Sequence, residues 1–153
     1  MSPASLAFPI GVVAGLRSMT APAAVSWAAR KGRLRVKGTP LAFLAHPATP
    51  WVLTVLAVGE LIVDKLPKTP SRKAPGPFVG RIVTGALSGA ALGASANAFS
   101  AGLVAGISGA IVGTLGGYEA RMRTVRATGE KDLPVALAED LIAIGGAASI
   151  VCR

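Results

Sequence analysis

The chain has 153 residues, 52% apolar and 15% charged, with a formal charge of +9 and a mean hydropathy of +0.58. An ordinary soluble domain carries about 25% charged residues, so this composition argues against one and for a lipid-embedded bundle. The basic residues fall in short connectors between apolar stretches, and aromatics make up only 5%; a nucleic-acid partner, which needs a basic face with stacking aromatics, is excluded on that pattern.

The first apolar stretch predicts helix one over about residues 5–29, with Pro9 and Pro22 inside it and a kink or break expected. It is longer than a usual signal-peptide core and lacks a basic leader, so it reads as a retained helix. A basic connector follows (Arg30, Lys31, Arg33, Arg35, Lys37), then an apolar piece at 40–48 too short to span. Helix two is expected at 50–66. Residues 67–80 carry four prolines and read as a connector without regular structure. The apolar run 81–118 would reach about 57 Å as one helix, against about 30 Å of hydrocarbon. It must turn once, most naturally at 96–100, giving helix three (81–97) and helix four (100–118). A polar connector leads to helix five at 134–151. The expected fold is an all-α membrane domain of five spans over residues 1–153.

Two segments look alike: GVVAGLRSMTAPAAVSWAAR from Gly11 and GLVAGISGAIVGTLGGYEAR from Gly102. With five spans they would run in opposite directions, an inverted-topology repeat of helices 1–2 and 4–5 of the kind found in transporters. On that count the N-terminus shares a side with Lys65, Lys68, Arg72, Lys73, Arg81, Arg121, Arg123, Arg126 and Lys131, against Arg30, Lys31, Arg33, Arg35, Lys37 and Arg153 opposite. The excess favours a cytoplasmic N-terminus, and the near-balance permits dual insertion.

Ionisable groups inside apolar spans are expensive in hydrocarbon and turn inward, pair or line a polar path. Arg17 is the foremost of these, with Glu139 or Glu60 as the first expected partner. Glu60 and Asp64 stand four apart on one helix face; Glu60 reads either as a cation or proton site or as a backbone cap, and Asp64 as interfacial. Glu139 and Asp140 are adjacent and face different partners, Arg17, Arg81 or Arg121. Lys65, Lys68, Arg72 and Arg81 read as headgroup or anion contacts. Glycines at spacing four (Gly85, Gly89, Gly93; Gly102, Gly106; Gly109, Gly113, Gly117) line helix faces for close packing within the bundle or between protomers. They point to a homo-oligomer, a dimer or higher. Cys152 alone forms no intramolecular disulfide, and His46 alone forms no His-pair metal site. No catalytic residue, cofactor or definite metal site is read.

The strings GLRSMTAPAAVSWAARKG, GELIVDKLPKTPSR, GRIVTGALSGAAL and ALAEDLIA resemble the bacterial membrane family DUF4126. The resemblance covers nearly the whole chain and is most specific over Glu60–Arg72. It implies a small multi-pass protein of the bacterial inner membrane, with recurring polar positions at Arg17, Glu60, Asp64, Lys65, Pro67, Pro70, Arg72, Arg81, Glu139 and Asp140, and it carries no activity. The expected function is a transporter or channel for a small ion or solute, its polar centre built from Arg17, Glu60, Asp64, Glu139 and Asp140. The alternatives are a structural or partner subunit whose buried charges only pair, and a lipid-phosphate enzyme, for which an Asp cluster, a nucleophile elbow and a His base are missing.

Overall fold

The computed structural model describes residues 2–68, 71, 73–129 and 131–153, the side chain of Pro3 aside. Among these residues six α-helices follow in order: α1 (Ala7–Leu16), α2 (Thr20–Arg30), α3 (Thr49–Val63), α4 (Pro75–Ser95), α5 (Phe99–Thr128) and α6 (Asp132–Val151). Short 3-10 turns cover Pro3–Leu6 and Ala42–Ala45. Among the described residues there is no strand. Three helices, α4, α5 and α6, are long and apolar enough to cross a membrane. Large apolar side chains lie exposed on their outer faces, Val83, Val104, Leu141 and Ile142 among them, and α3 presents Trp51, Val55 and Ile62 in the same way. A soluble surface rarely carries so continuous an apolar belt.

The expected first helix is two helices. α1 ends at Leu16, Arg17 is extended (φ −141°, ψ 109°), and α2 starts at Thr20. Neither proline sits at the break. Pro9 and Pro22 each fall in the first turn of their helix, where no N–H is needed. Pro22 still has a part in it: in a continuous helix its ring would strike the carbonyl of Ser18, four residues back.

The chain reverses there. Leu6 before α1, Leu34 after α2, Leu92 on α4 and Val151 on α6 line one small cavity, so these four points share one end of the bundle. α1 and α2 are arms of a helical hairpin, about 15 and 16 Å long at 1.5 Å per residue. Each is half of a 30 Å hydrocarbon layer. The N-terminus consequently lies with Arg33 and Arg153, not with Asp64 and Lys65. α3, α4, α5 and α6 then alternate in direction.

Glycine sets the core. Cβ atoms built on Gly85, Gly89 and Gly93 would sit 2.4–2.8 Å from backbone or Cβ atoms of α5 and the turn before it, Gly106, Gly102 and Ala98 supplying carbonyls. Gly11 and Gly15 meet Gly106 and Ala110, and Gly109 and Gly113 meet Phe8 and Val12. Rising numbers in α1 thus meet rising numbers in α5: the two run parallel, while α4 is antiparallel to both. The look-alike segments therefore take different forms, a hairpin and part of one continuous helix; α1 runs parallel to α5, and only the returning arm α2 runs against it. Gly85, Gly89, Gly93, Gly102, Gly106, Gly109 and Gly113 face neighbours in the same chain, so they no longer argue for self-association. Gly117 lies half-buried farther along α5.

Other boundaries shift for local reasons. α4 starts six residues early because Pro75 and Pro77 occupy its first turn. α5 continues to Thr128 through the polar stretch, supported by the i,i+4 pair of Glu119 and Arg123 at 2.9 Å, and stops at left-handed Gly129 (φ 63°). The turn between α4 and α5 falls at 96–98, around Asn97 (φ 56°). Residues 31–48 pack beneath the hairpin arms, where Leu34, Val36, Leu41 and Leu44 are buried and Ser26 Oγ donates to the Leu44 carbonyl at 2.6 Å.

Candidate functional site: an ion-pair network at the hairpin tip

Breaking a helix exposes carbonyls on one side and N–H groups on the other. Both sets are answered by charged side chains of the sign that the helix dipole favours. At the end of α1, Arg81 Nη1 donates to the Gly15 and Leu16 carbonyls, 2.7 Å each. At the start of α2, the Glu60 carboxylate accepts from Ser18 N at 2.8 Å, Ser18 Oγ at 2.7 Å and Met19 N at 2.8 Å. A cation on α4 and an anion on α3 thus replace the hydrogen bonds that a continuous helix would have made itself.

Arg17, at the tip, is wholly buried. Its Nη1 donates to Asp64 and its Nε to Asp140. Nη2 lies against Asp140 Oδ1 but is angled so that it donates no hydrogen bond. The expected partners Glu60 and Glu139 are not the ones used, because Glu60 is turned to the α2 backbone and Glu139 to Arg121, 3.6 Å away. Asp64, expected at the interface, is inside the network with 16% of its side chain exposed. Lys65 and Arg81, expected among headgroups, are there too. Lys65 Nζ bonds Asp140 and the Leu61 carbonyl, and Arg81 Nη2 stands 3.8 Å from Glu60 and 3.7 Å from Asp64. Lys68 is exposed. Arg72 and Pro70 lie outside the described residues.

Arg17, Lys65 and Arg81 face Glu60, Asp64 and Asp140. The charges of these six groups cancel, which lets so many ionisable groups lie together away from bulk water. The α1–α2 tip and α4 supply two of the cations; α3 and α6 supply all three carboxylates, so the network is also the joint between those parts.

The network forms the floor of a cleft of about 900 Å³, at the upper end of ordinary small-molecule sites. Glu60, Asp64, Lys65 and Arg81 face it, with Tyr118, Arg121 and Asp132 higher on its walls. Arg121 holds Asp132 through both carboxylate oxygens, Nε to Oδ1 at 2.7 Å. Lys73 Nζ sits 4.1 Å over the Tyr118 ring. Among the described residues no three His, Cys, Asp or Glu side chains are grouped to hold a metal ion. Sequence reading missed Ser18, Met19 and Asp132, while the pairings of Glu139 with Arg121 and of Asp140 with Arg17 are among those it expected. The signal for the first two was present: Pro22 stands four residues after Ser18, at the helical distance where it forces a break. Comparison with family models, curated proteins and solved structures finds no match to this chain.

Proposed function

We propose that this chain is a small membrane transporter or channel for a small ion or zwitterion, with the cleft as its access from one side and the hairpin tip as the floor of its binding site. The observation that carries this reading is the re-entrant hairpin ending on a charge-neutral network at the base of an open cleft. Broken helices at membrane depth are tolerated where they line a polar cavity, and in transporters their ends contact the solute. Burial within the network is graded: Arg17 is sealed, while Glu60 and Asp64, 12% and 16% exposed, turn toward the cleft. Groups of both signs line the cleft, so a small solute carrying both charges could replace one internal pair without leaving its partner bare.

In this reading α4, α5 and α6 cross the bilayer in full, α3 crosses as a short apolar helix, and α1–α2 enters and returns on the side of both termini. Placement in a bacterial inner membrane rests on the resemblance to DUF4126. The test is solute uptake by proteoliposomes, followed by light scattering with potassium chloride, potassium acetate and glycine as probes. Protein-dependent uptake of one probe, reduced in Asp64→Asn, is the expected result. One observation favours the structural alternative: all three carboxylates of the network are paired. Uptake of no probe, with Asp64→Asn merely less stable, would select that alternative.

A further inference from the structure

A second cavity of about 430 Å³ opens at the terminus end, lined by Leu6, Leu34, Leu92, Ile150, Val151 and Cys152 among others. The two cavities share one helix. Ala136 on α6 lines the cleft, and Ile150 and Val151 line the second cavity. Between them the inward face of α6 carries Asp140, Ala143 and Ala147, buried to 6%, 0% and 2% exposure. From Asp140 to Val151 the rise is about 16 Å. That stretch packs against the hairpin arms through apolar side chains: Ala143 and Ala147 share a core cluster with Ile10, Val13, Val25, Ala28 and Ala29, and Ile150 and Val151 pack against it.

α6 is also seated differently from α1, α4 and α5. Those three interlock with backbone against backbone, so that a Cβ at Gly106 would lie 2.2 Å from the Gly85 carbonyl. On α6, a Cβ at Gly145 would meet nothing and one at Gly146 would meet only Val13 Cγ2, at 3.5 Å. Charge fastens α6 instead, through Asp140 to Arg17 and Lys65 and through Asp132 and Glu139 to Arg121. A helix held by ion pairs at one end and by side-chain contacts along its length, without backbone interlock, can part from its neighbour more readily than α1, α4 and α5 can part from one another.

We infer that the seam between α6 and the α1–α2 hairpin is the solute route, joining the cleft to the second cavity, and that the structure shows it closed by Ala143, Ala147 and Val13. The inference rests on the transport reading and adds the path, the gate and the second mouth. The methyl lining limits the width to a solute of a few heavy atoms and gives a charged one no polar partner, so the closed seam is a hydrophobic gate that a small ion or zwitterion passes only when it parts and wets.

The test uses the full chain in liposomes, in a Cys152→Ser background, with single cysteines at Leu133, exposed in the cleft, at Ala143 and Ala147 in the seam, and at Leu141 and Ile144 on the outer face. A small cationic methanethiosulfonate is the probe, and labelling is read by mass spectrometry on monodisperse protein. Position 133 should react fastest. A minor open state populated at roughly 0.1–10% would bring 143 and 147 to that fraction of its rate, with 141 and 144 slower still in lipid. Labelling at 133 with 143 and 147 no faster than 141 and 144 would overturn the route and leave the cleft standing. No labelling at 133 would overturn both. If Ala143→Cys does not fold, Ala147→Cys reads the same seam.

Discussion

Replacing Glu60 with glutamine keeps the size of the side chain and removes its charge and one acceptor. In the native protein Oε1 accepts two hydrogen bonds, from Ser18 N and Ser18 Oγ, and Oε2 accepts one from Met19 N. Glutamine has one carbonyl oxygen. Placed at the Oε1 position, it puts its amide NH2 against the Met19 N–H, leaving a donor unpaired at a cost of about 1–3 kcal/mol. Losing the negative charge at the start of α2 adds about 0.3–1 kcal/mol, more where the site is partly buried. Placed the other way round, the amide NH2 can still donate to Ser18 Oγ but faces the Ser18 N–H, which is then the unpaired donor at a similar cost. The expected loss is therefore about 1–4 kcal/mol. Trp27 and Trp51 report it. Their rings meet edge-on at 5.0 Å where α2 packs on α3, and Trp27 Nε1 donates to Thr54 Oγ1 at 3.0 Å. Unfolding in mixed micelles followed by tryptophan fluorescence would measure the change. A Glu60→Gln protein within about 0.5 kcal/mol of wild type, the range of an ordinary surface substitution, would refute the idea that this carboxylate holds the hairpin tip.

Arg17→Met leaves Asp64 and Asp140 without their shared cation. It should cost about 3–5 kcal/mol in the same unfolding assay, with Arg17→Met/Asp140→Asn recovering part of the loss. Gly106→Ala places a methyl group 2.2 Å from the Gly85 carbonyl and should lower the melting temperature sharply. By contrast Gly145→Ala, with open space around it, should raise stability by about 0.5–1 kcal/mol through helix propensity; a loss of similar size at both positions would contradict the packing described. Asp132→Asn weakens the outer clasp on Arg121, at a carboxylate 62% exposed, and should shift unfolding by less than about 1 kcal/mol.

The helical character, the apolar belt and the list of charged residues that matter were legible in the sequence, because hydropathy and the cost of burying charge are local properties. The turn at 96–98 was legible for the same reason: no helix of that length fits a bilayer. What could not be read is where the chain reverses. The hairpin at Arg17–Met19 is made by residues distant in sequence, Glu60 from α3 and Arg81 from α4, which supply what the broken helix lacks. Pro22 hints at the break without saying that the arms fold back. One uncounted reversal then changes the parity of everything after it, so the N-terminus, the expected repeat and the sidedness of the basic connectors all moved together. Of the partners of Arg17, Asp140 was among the expected pairings, and Asp64 was unreadable for a related reason. Glu60 and Asp64 share one face of α3, and only the position of the hairpin tip decides that Asp64 takes the guanidinium while Glu60 takes the backbone.

The re-entrant hairpin is tested most directly by sidedness. In proteoliposomes of uniform orientation, an impermeant maleimide is applied from one face to protein carrying native Cys152 alone, Ser2→Cys with Cys152→Ser, or Thr128→Cys with Cys152→Ser. A hairpin that enters and returns requires Ser2→Cys and Cys152 to label from the same face and Thr128→Cys from the other. Labelling of Ser2→Cys together with Thr128→Cys, opposite Cys152, would mean that the first helix crosses the membrane, and the hairpin, the tip network and the route along α6 would fall with it.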